Sequence, residues 1–177
     1  MMPSRDEKKL PVSPSGRVAV CAVLVTLSML LSYIDSLIPI LPQFPGIRLG
    51  LANIVILTAL YMLPEGCALL INIIRVLLAG LLFTGVTGMM YSLSGALLSF
   101  FVMYLLKKSG LFSIIGVSLA GGAVHNAGQL LVAILLISNT GVLYYLPVLT
   151  LTGILTGILT GFISHILIQR LKYISST

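Results

Sequence analysis

The sequence predicts an all-α, polytopic integral membrane protein built as a bundle of six transmembrane helices, and three observations lead to this prediction. First, 58% of the 177 residues are hydrophobic and only 8% are charged, which is more apolar surface than a soluble domain of this size can bury. Second, long charge-poor stretches recur along the chain, and a spanning helix takes roughly 20 mostly apolar residues. Third, lipid offers backbone N–H and C=O groups no partner, so these stretches must be helices.

Charged residues and prolines divide the chain into six apolar segments. We predict spans at residues 18–38, 49–63, 67–83, 89–106, 112–137 and 146–168. The second and third are short, so tilt or re-entrant geometry near Pro64-Glu65-Gly66 is an alternative to a tight turn between two spans. The predicted organisation is a disordered cytoplasmic leader at 1–16, one transmembrane domain at 17–172 and a cytoplasmic tail at 173–177.

Basic residues indicate which side of the membrane the ends face, because Lys and Arg beside spans are retained in the cytoplasm. With both termini inside, eight of the ten Lys and Arg residues are cytoplasmic: Arg5, Lys8, Lys9, Arg17, Lys107, Lys108, Arg170 and Lys172. Arg48 then lies outside and Arg75 lies within the membrane. We therefore predict the cell inner (cytoplasmic) membrane, with the N- and C-termini cytoplasmic. This pattern accounts for the net charge of +6 without a nucleic-acid partner.

The sequence argues against catalysis and against a bound metal or cofactor. The only adjacent acidic residues, Asp6 and Glu7, lie in the leader, so there are no clustered aspartates to hold magnesium against a diphosphate. No Gly-rich phosphate loop, Cys-x-x-Cys pair or nucleophile elbow occurs. Cys21 and Cys67 map to the predicted cytoplasmic leaflet, where thiols stay reduced, so we expect neither a disulfide nor a metal site. Any ATP hydrolysis must come from another chain.

Polar residues inside or beside the predicted spans are candidate ligand-binding residues, because a charge at mid-bilayer costs at least about 2.5 kcal/mol. They are Asp35, Arg48, Asn53, Asn72, Arg75, His125, Asn126 and Gln129. Two arginines, one histidine and one acid favour a ligand that carries negative charge or many acceptors. The alternative is structural: Asp35 pairs with Arg48 or Arg75, and the polar residues of the fifth span only hydrogen-bond between helices.

Two predicted spans carry small residues every four positions, which places each set on one stripe of its helix. The stripes are Ser28, Ser32 and Ser36 in the first span and Gly153, Gly157 and Gly161 in the last. Small side chains let helix backbones approach closely in lipid, where the hydrophobic effect does not drive helix association. The stripes therefore predict close helix contacts, either within the chain or with a partner subunit.

Five segments, taken in order, resemble the Gx transporter family, which is also named heptaprenyl diphosphate synthase component I. They are SYIDSLIP (32–39), PGIRLGLAN (45–53), RVLLAG (75–80), YSLSG (91–95) and HNAGQ (125–129). The resemblance covers about residues 17–170. It implies a likeness to the S components of energy-coupling-factor vitamin transporters, which are six-helix membrane subunits that bind a ligand from outside. Their usual Ala-x-x-x-Ala docking pattern is absent here, since Ala19 and Ala22 are spaced by three.

The resemblance implies two functions. In the first, the chain is a substrate-binding membrane subunit for a small anionic or vitamin-like ligand, of the flavin or isoprenoid diphosphate class, and its partner is a coupling-factor membrane subunit with ATPases. In the second, the chain is a non-catalytic membrane component associated with a heptaprenyl diphosphate synthase subunit or with a quinone- or flavin-linked electron-transfer complex. The lipid bilayer is a partner in both.

The predicted topology can be tested by cysteine labelling in intact cells. Single cysteines introduced at Ser109 and Ser176 are expected to be shielded from an impermeant thiol reagent, whereas a cysteine at Asn139 is expected to react, because only the last position lies outside on this topology. Labelling at Ser109 without permeabilisation would refute the orientation.

Overall fold

The computed structural model describes residues 13–37, 50–137 and 140–176, and this part of the chain is helical without a strand. The α-helices are α1 (Pro14–Leu37), α2 (Leu51–Met62), α3 (Glu65–Ala79), α4 (Gly85–Ser109), α5 (Ile114–Ile137) and α6 (Leu146–Ser176). A π-helical turn, Gly80–Thr84, joins α3 to α4, and a 3₁₀ turn, Thr140–Tyr145, precedes α6. The prediction of an all-α fold is confirmed for these residues.

Four of the described helical segments are long and apolar enough to cross a membrane. They are Ser15–Leu37, Glu65–Ser109, Ile114–Leu136 and Leu143–Tyr173. These segments support a membrane protein, as the composition predicts. Helix α2 is apolar but has only 12 residues, so it is about 18 Å long against a hydrocarbon core of about 30 Å. Six spans therefore stay a prediction.

The longest segment, Glu65–Ser109, doubles back on itself at Gly85. This glycine has φ +71°, a left-handed conformation that residues with a Cβ rarely adopt. On either side of it, Asn72 Nδ2 donates to the carbonyl oxygen of Ala96 at 3.0 Å, and a Cβ built on Gly80 would lie 2.5 Å from the Cβ of Met89. In each of these two contacts, the partners lie at similar distances along the sequence before and after Gly85. Helices α3 and α4 are therefore the two antiparallel helices of one hairpin.

Helix α2 lies inside the bundle, in contact with α1, α3 and α6. Every side chain from residue 54 to residue 63 is buried. Its second half belongs to an apolar core cluster that also includes Phe100 of α4 and Ile168 of α6, and Val20 of α1 packs against this cluster. The start of α1 and the ends of α4 and α6 therefore meet at the same end of the bundle.

Lys107 closes the C-terminal end of α2. Its Nζ donates to the carbonyl oxygen of Leu60 at 2.6 Å, lies 3.7 Å from Glu65 Oε1 and stands 5.3 Å from the centroid of the Tyr61 ring. A cation at a helix C-terminus satisfies exposed carbonyls and interacts favourably with the helix dipole. The described basic residues at helix ends (Arg17, Lys107, Lys108, Arg170 and Lys172) gather at this end of the bundle, which is the arrangement that the charge pattern predicts.

The glycine stripe of α6 packs against α5 of the same chain. A Cβ on Gly153 would lie 2.5 Å from the Gly122 carbonyl oxygen, and one on Gly157 would lie 2.8 Å from Leu119 Cα. Gly161 lies against Ser118, whose hydroxyl is 3.0 Å from that of Thr160. The glycine stripe therefore forms a close contact between α5 and α6 within the chain.

The serine stripe of α1 is divided between the interior and the surface. Ser28 and Ser32 are buried, whereas Ser36 is exposed and donates to the carbonyl oxygen of Tyr33. Asp35 lies on the inward face of α1 instead, because a helix of 3.6 residues per turn places position 35 beside positions 28 and 32. Ser36 thus takes no part in packing within the described residues.

A leucine at Gly157 is expected to force α5 and α6 apart, because its Cβ would meet backbone atoms that cannot move aside. We expect Gly157→Leu to lower the free energy of unfolding by about 2 kcal/mol or more, measured as a lower melting temperature of the purified protein. The control is Gly66→Leu, at an exposed position where a Cβ meets nothing within 4 Å. Equal melting of the two variants would contradict the close contact.

Candidate functional site

A polar cavity lies at the N-terminal end of α2, opposite to the basic end of the bundle. Its volume is about 40 Å³. It is lined by residues from five helices and the residue before α2: Ser32, Asp35, Gly50, Asn53, Arg75, Ser92, His125 and Gln129. The cavity thus contains one acid, one guanidinium, one imidazole and two amides.

Helix α1 supplies the acid. Ser32 and Asp35 are buried, while Tyr33 and Ile34 between them are exposed, as expected for a helix with one inward face. Asp35 Oδ2 accepts the backbone N–H of Leu51, the first residue of α2, at 3.0 Å. A carboxylate is stabilised there, because the first N–H groups of a helix have no partner within it and carry partial positive charge.

Arg75 enters the cavity from α3 and is only 8% exposed. Its Nε and Nη2 both donate to Asn72 Oδ1, at 3.2 and 3.0 Å, and Nη2 also lies 3.4 Å from Asn53 Oδ1. A longer contact of 3.5 Å joins Nη1 to Ser32 Oγ. Asn72 is oriented in turn by its bond to Ala96 of α4. The guanidinium is therefore held by neutral oxygens of three helices.

The remaining wall is formed where α4 and α5 approach closely. A Cβ on Gly95 would lie 2.6 Å from the His125 carbonyl oxygen and 2.9 Å from Gln129 Cγ. Gly128 faces Gly95 across the same contact, and Ser94 Oγ donates to the Gly128 carbonyl oxygen at 2.8 Å. The two glycines let the backbones approach closely, and His125 and Gln129, which are four residues apart on α5, both line the cavity.

The structure brings together most of the predicted ligand-binding residues. Asp35, Asn53, Arg75, His125 and Gln129 line the cavity, and Asn72 lies behind Arg75 and orients it. Arg48 lies outside the described residues.

Asn126 does not line the cavity. Its Nδ2 donates to the carbonyl oxygen of Leu149 on α6 at 2.6 Å, which is a bond between helices. The physical reason is helix geometry: successive residues turn by about 100°, so Asn126 points to one side of His125 and reaches α6. Asn126 therefore fits the alternative in which the polar residues of the fifth span hydrogen-bond between helices.

Three lining residues were not among the predicted ligand-binding set. Ser32 was assigned to packing, although it stands three residues before Asp35 on the same face. Ser92 lies in the segment YSLSG, where nothing distinguishes it from Ser94, which bonds to α5 instead. Gly50 offers only backbone, in a left-handed conformation with φ +70°. Hydroxyl and glycine residues are common in spanning helices, so none gives a signal in the sequence.

The arrangement offers hydrogen-bond donors to the oxygen atoms of an anionic group. A guanidinium flanked by amides and hydroxyls offers several donors to carboxylate or phosphate oxygens. Within the described parts of the chain, no three His, Cys, Asp or Glu side chains are grouped so that they could hold a metal ion. At about 40 Å³ the cavity has room for a few water molecules, whereas pockets for drug-sized ligands start at about 300 Å³. A vitamin-sized ligand therefore requires the cavity to widen.

The chain was compared with known protein families, curated proteins and solved structures. A family model described as heptaprenyl diphosphate synthase component I matches residues 24–167, which include every residue that lines the cavity. No curated protein and no solved structure matches the chain.

Proposed function

The chain belongs to the heptaprenyl diphosphate synthase component I family, and on this premise we propose that it is a substrate-binding membrane subunit similar to the S components of energy-coupling-factor transporters. Its ligand is a small anionic or vitamin-like molecule, and its binding site is the cavity at the N-terminal end of α2. The observation that carries the proposal is the buried guanidinium of Arg75 at the cavity wall.

The energetic cost of Arg75 supports a role in binding. Taking a guanidinium out of water costs several kcal/mol even after relaxation, and a helical bundle can pack without one. The side chain is nevertheless fixed by Asn72 and Asn53, and Asn72 is fixed by α4. A donor group held in place before the ligand arrives loses little entropy on binding, which is the usual benefit of preorganisation.

The direction of capture follows from the two ends of the bundle. The described basic residues at helix ends lie opposite to the cavity, and basic residues beside spans are retained in the cytoplasm. The cavity then opens toward the outer side, with six spans and both termini inside. For a flavin phosphate or an isoprenoid diphosphate, the phosphate would bind at Arg75 and the rest would occupy space that opens on binding. Energy for transport would come from a coupling-factor membrane subunit with ATPases.

The second candidate function is that of a non-catalytic membrane component that associates with a prenyl synthase subunit. The description of the matching family favours it. On this proposal the other subunit supplies the magnesium-binding aspartates, and this chain holds the complex at the membrane where a long isoprenoid product dissolves. The two functions differ in what should accompany the purified chain: a small molecule for the first and a synthase subunit for the second.

Arg75→Lys tests the binding role, because an ammonium cannot reproduce the planar, two-pronged contact of a guanidinium with phosphate oxygens. We expect the affinity for flavin mononucleotide or geranyl diphosphate to fall at least about tenfold, measured by calorimetry in mild detergent, while melting is little changed. The matched control is Arg170→Lys, at an exposed position at the basic end. Wild-type affinity in Arg75→Lys would contradict the role.

A purely structural Arg75 would give a different pattern. In that case Arg75→Ala would destabilise the protein, and adding Asp35→Ala would recover much of the loss, because no uncompensated buried charge would remain. The double-mutant cycle on melting therefore distinguishes the structural alternative from ligand binding.

A further inference from the structure

We propose that Asp35 determines the specificity of the cavity: it selects ligands that carry a cationic group close to their anionic group and disfavours plain anions. The inference rests on the proposed function of the cavity as a ligand site, and it predicts that a zwitterionic head group binds there more tightly than a plain anion.

The structure places two opposite charges beside the first turn of α2. The Asp35 carboxylate is 6% exposed and is fixed by the Leu51 N–H. Asn53, two residues further along α2, lies 3.4 Å from Arg75 Nη2. Ser32, three residues before Asp35 on α1, lies 3.5 Å from Arg75 Nη1. The acid and the guanidinium thus border the same cavity.

The charges of the described lining residues sum to zero when His125 is neutral, because Asp35 and Arg75 are the other ionisable groups among them. An anion that binds at Arg75 is repelled by the nearby carboxylate, and this repulsion is strong because neither group is well solvated. A ligand with an ammonium beside its phosphate or carboxylate is not repelled, because its anionic group lies at Arg75 and its ammonium lies at Asp35. Repulsion of the wrong ligand is a common source of specificity in binding sites.

The contact with Leu51 does not by itself require a charge. At a helix N-terminus, an asparagine oxygen accepts the backbone N–H about as well as an aspartate oxygen. Asp35→Asn therefore keeps the helix contact and removes the negative charge from the cavity, whereas Asp35→Glu keeps the charge. This pair of variants separates the effect of charge from the effect of the α2 contact.

The test compares phosphoethanolamine with propyl phosphate, which has a similar length but ends in a methyl group instead of an ammonium. Binding is measured by calorimetry on the full chain in lipid nanodiscs, with Ser36→Ala, one residue away on the exposed face, as the control variant. We expect the wild type to bind phosphoethanolamine at least tenfold more tightly than propyl phosphate. In Asp35→Asn we expect propyl phosphate to bind about tenfold more tightly than in the wild type, and in Asp35→Glu we expect the wild-type order to persist.

Each other outcome is decisive. Equal wild-type affinity for the two probes overturns the specificity role and leaves a phosphate site in place, and this comparison needs no variant to fold. Unchanged binding of propyl phosphate in an Asp35→Asn protein with a normal melting curve also overturns it. If neither probe binds to the wild type or to Asp35→Asn, the proposed function fails together with the inference.

Discussion

The structure depends on a helix of only 12 residues that lies inside the bundle and is buried along most of its length. Helix α2 has backbone N–H groups at its start and carbonyl groups at its end that have no partner within the helix. Asp35 accepts an N–H at the first residue, and Lys107 donates to a carbonyl near the last turn. These two side chains come from α1 and α4, so satisfying the ends of α2 also fixes where those helices stand.

The cavity is a consequence of this arrangement. The C-terminal half of α2 is enclosed by an apolar cluster at the basic end, whereas its first turn faces polar side chains. Glycines on α4, α5 and α6 let these helices pack backbone to backbone. Close packing of that kind brings His125 and Gln129 to the cavity without any further element. The bundle is thus apolar and tightly filled toward one end and polar toward the other.

Much of this could be predicted from the sequence, because lipid imposes simple requirements. Hydropathy and the scarcity of charge predicted the helices, and the cost of charge in lipid marked Asp35 and Arg75 as residues that need partners. The family resemblance is confirmed by the match over residues 24–167. The glycine spacing in α6 predicted a close contact, and the structure shows that the neighbour is α5 of the same chain.

Other features could not be predicted from a single sequence. Hydropathy cannot distinguish a helix that faces lipid from one enclosed by protein, so the burial of α2 gave no signal. Asn126 and His125 are adjacent in sequence, yet one residue of helical rotation directs Asn126 to α6 and His125 to the cavity. The volume of the cavity depends on how five helices pack, and no local pattern encodes that.

We propose that the cavity at the start of α2 binds a small molecule. The most direct measurement is native mass spectrometry of the full chain, purified in mild detergent and incubated with an extract of small metabolites. We expect a one-to-one complex with a small molecule that contains a phosphate or carboxylate. Recovery of the chain only with a prenyl synthase subunit, and with no small molecule, would contradict the claim and favour the role of a non-catalytic membrane partner.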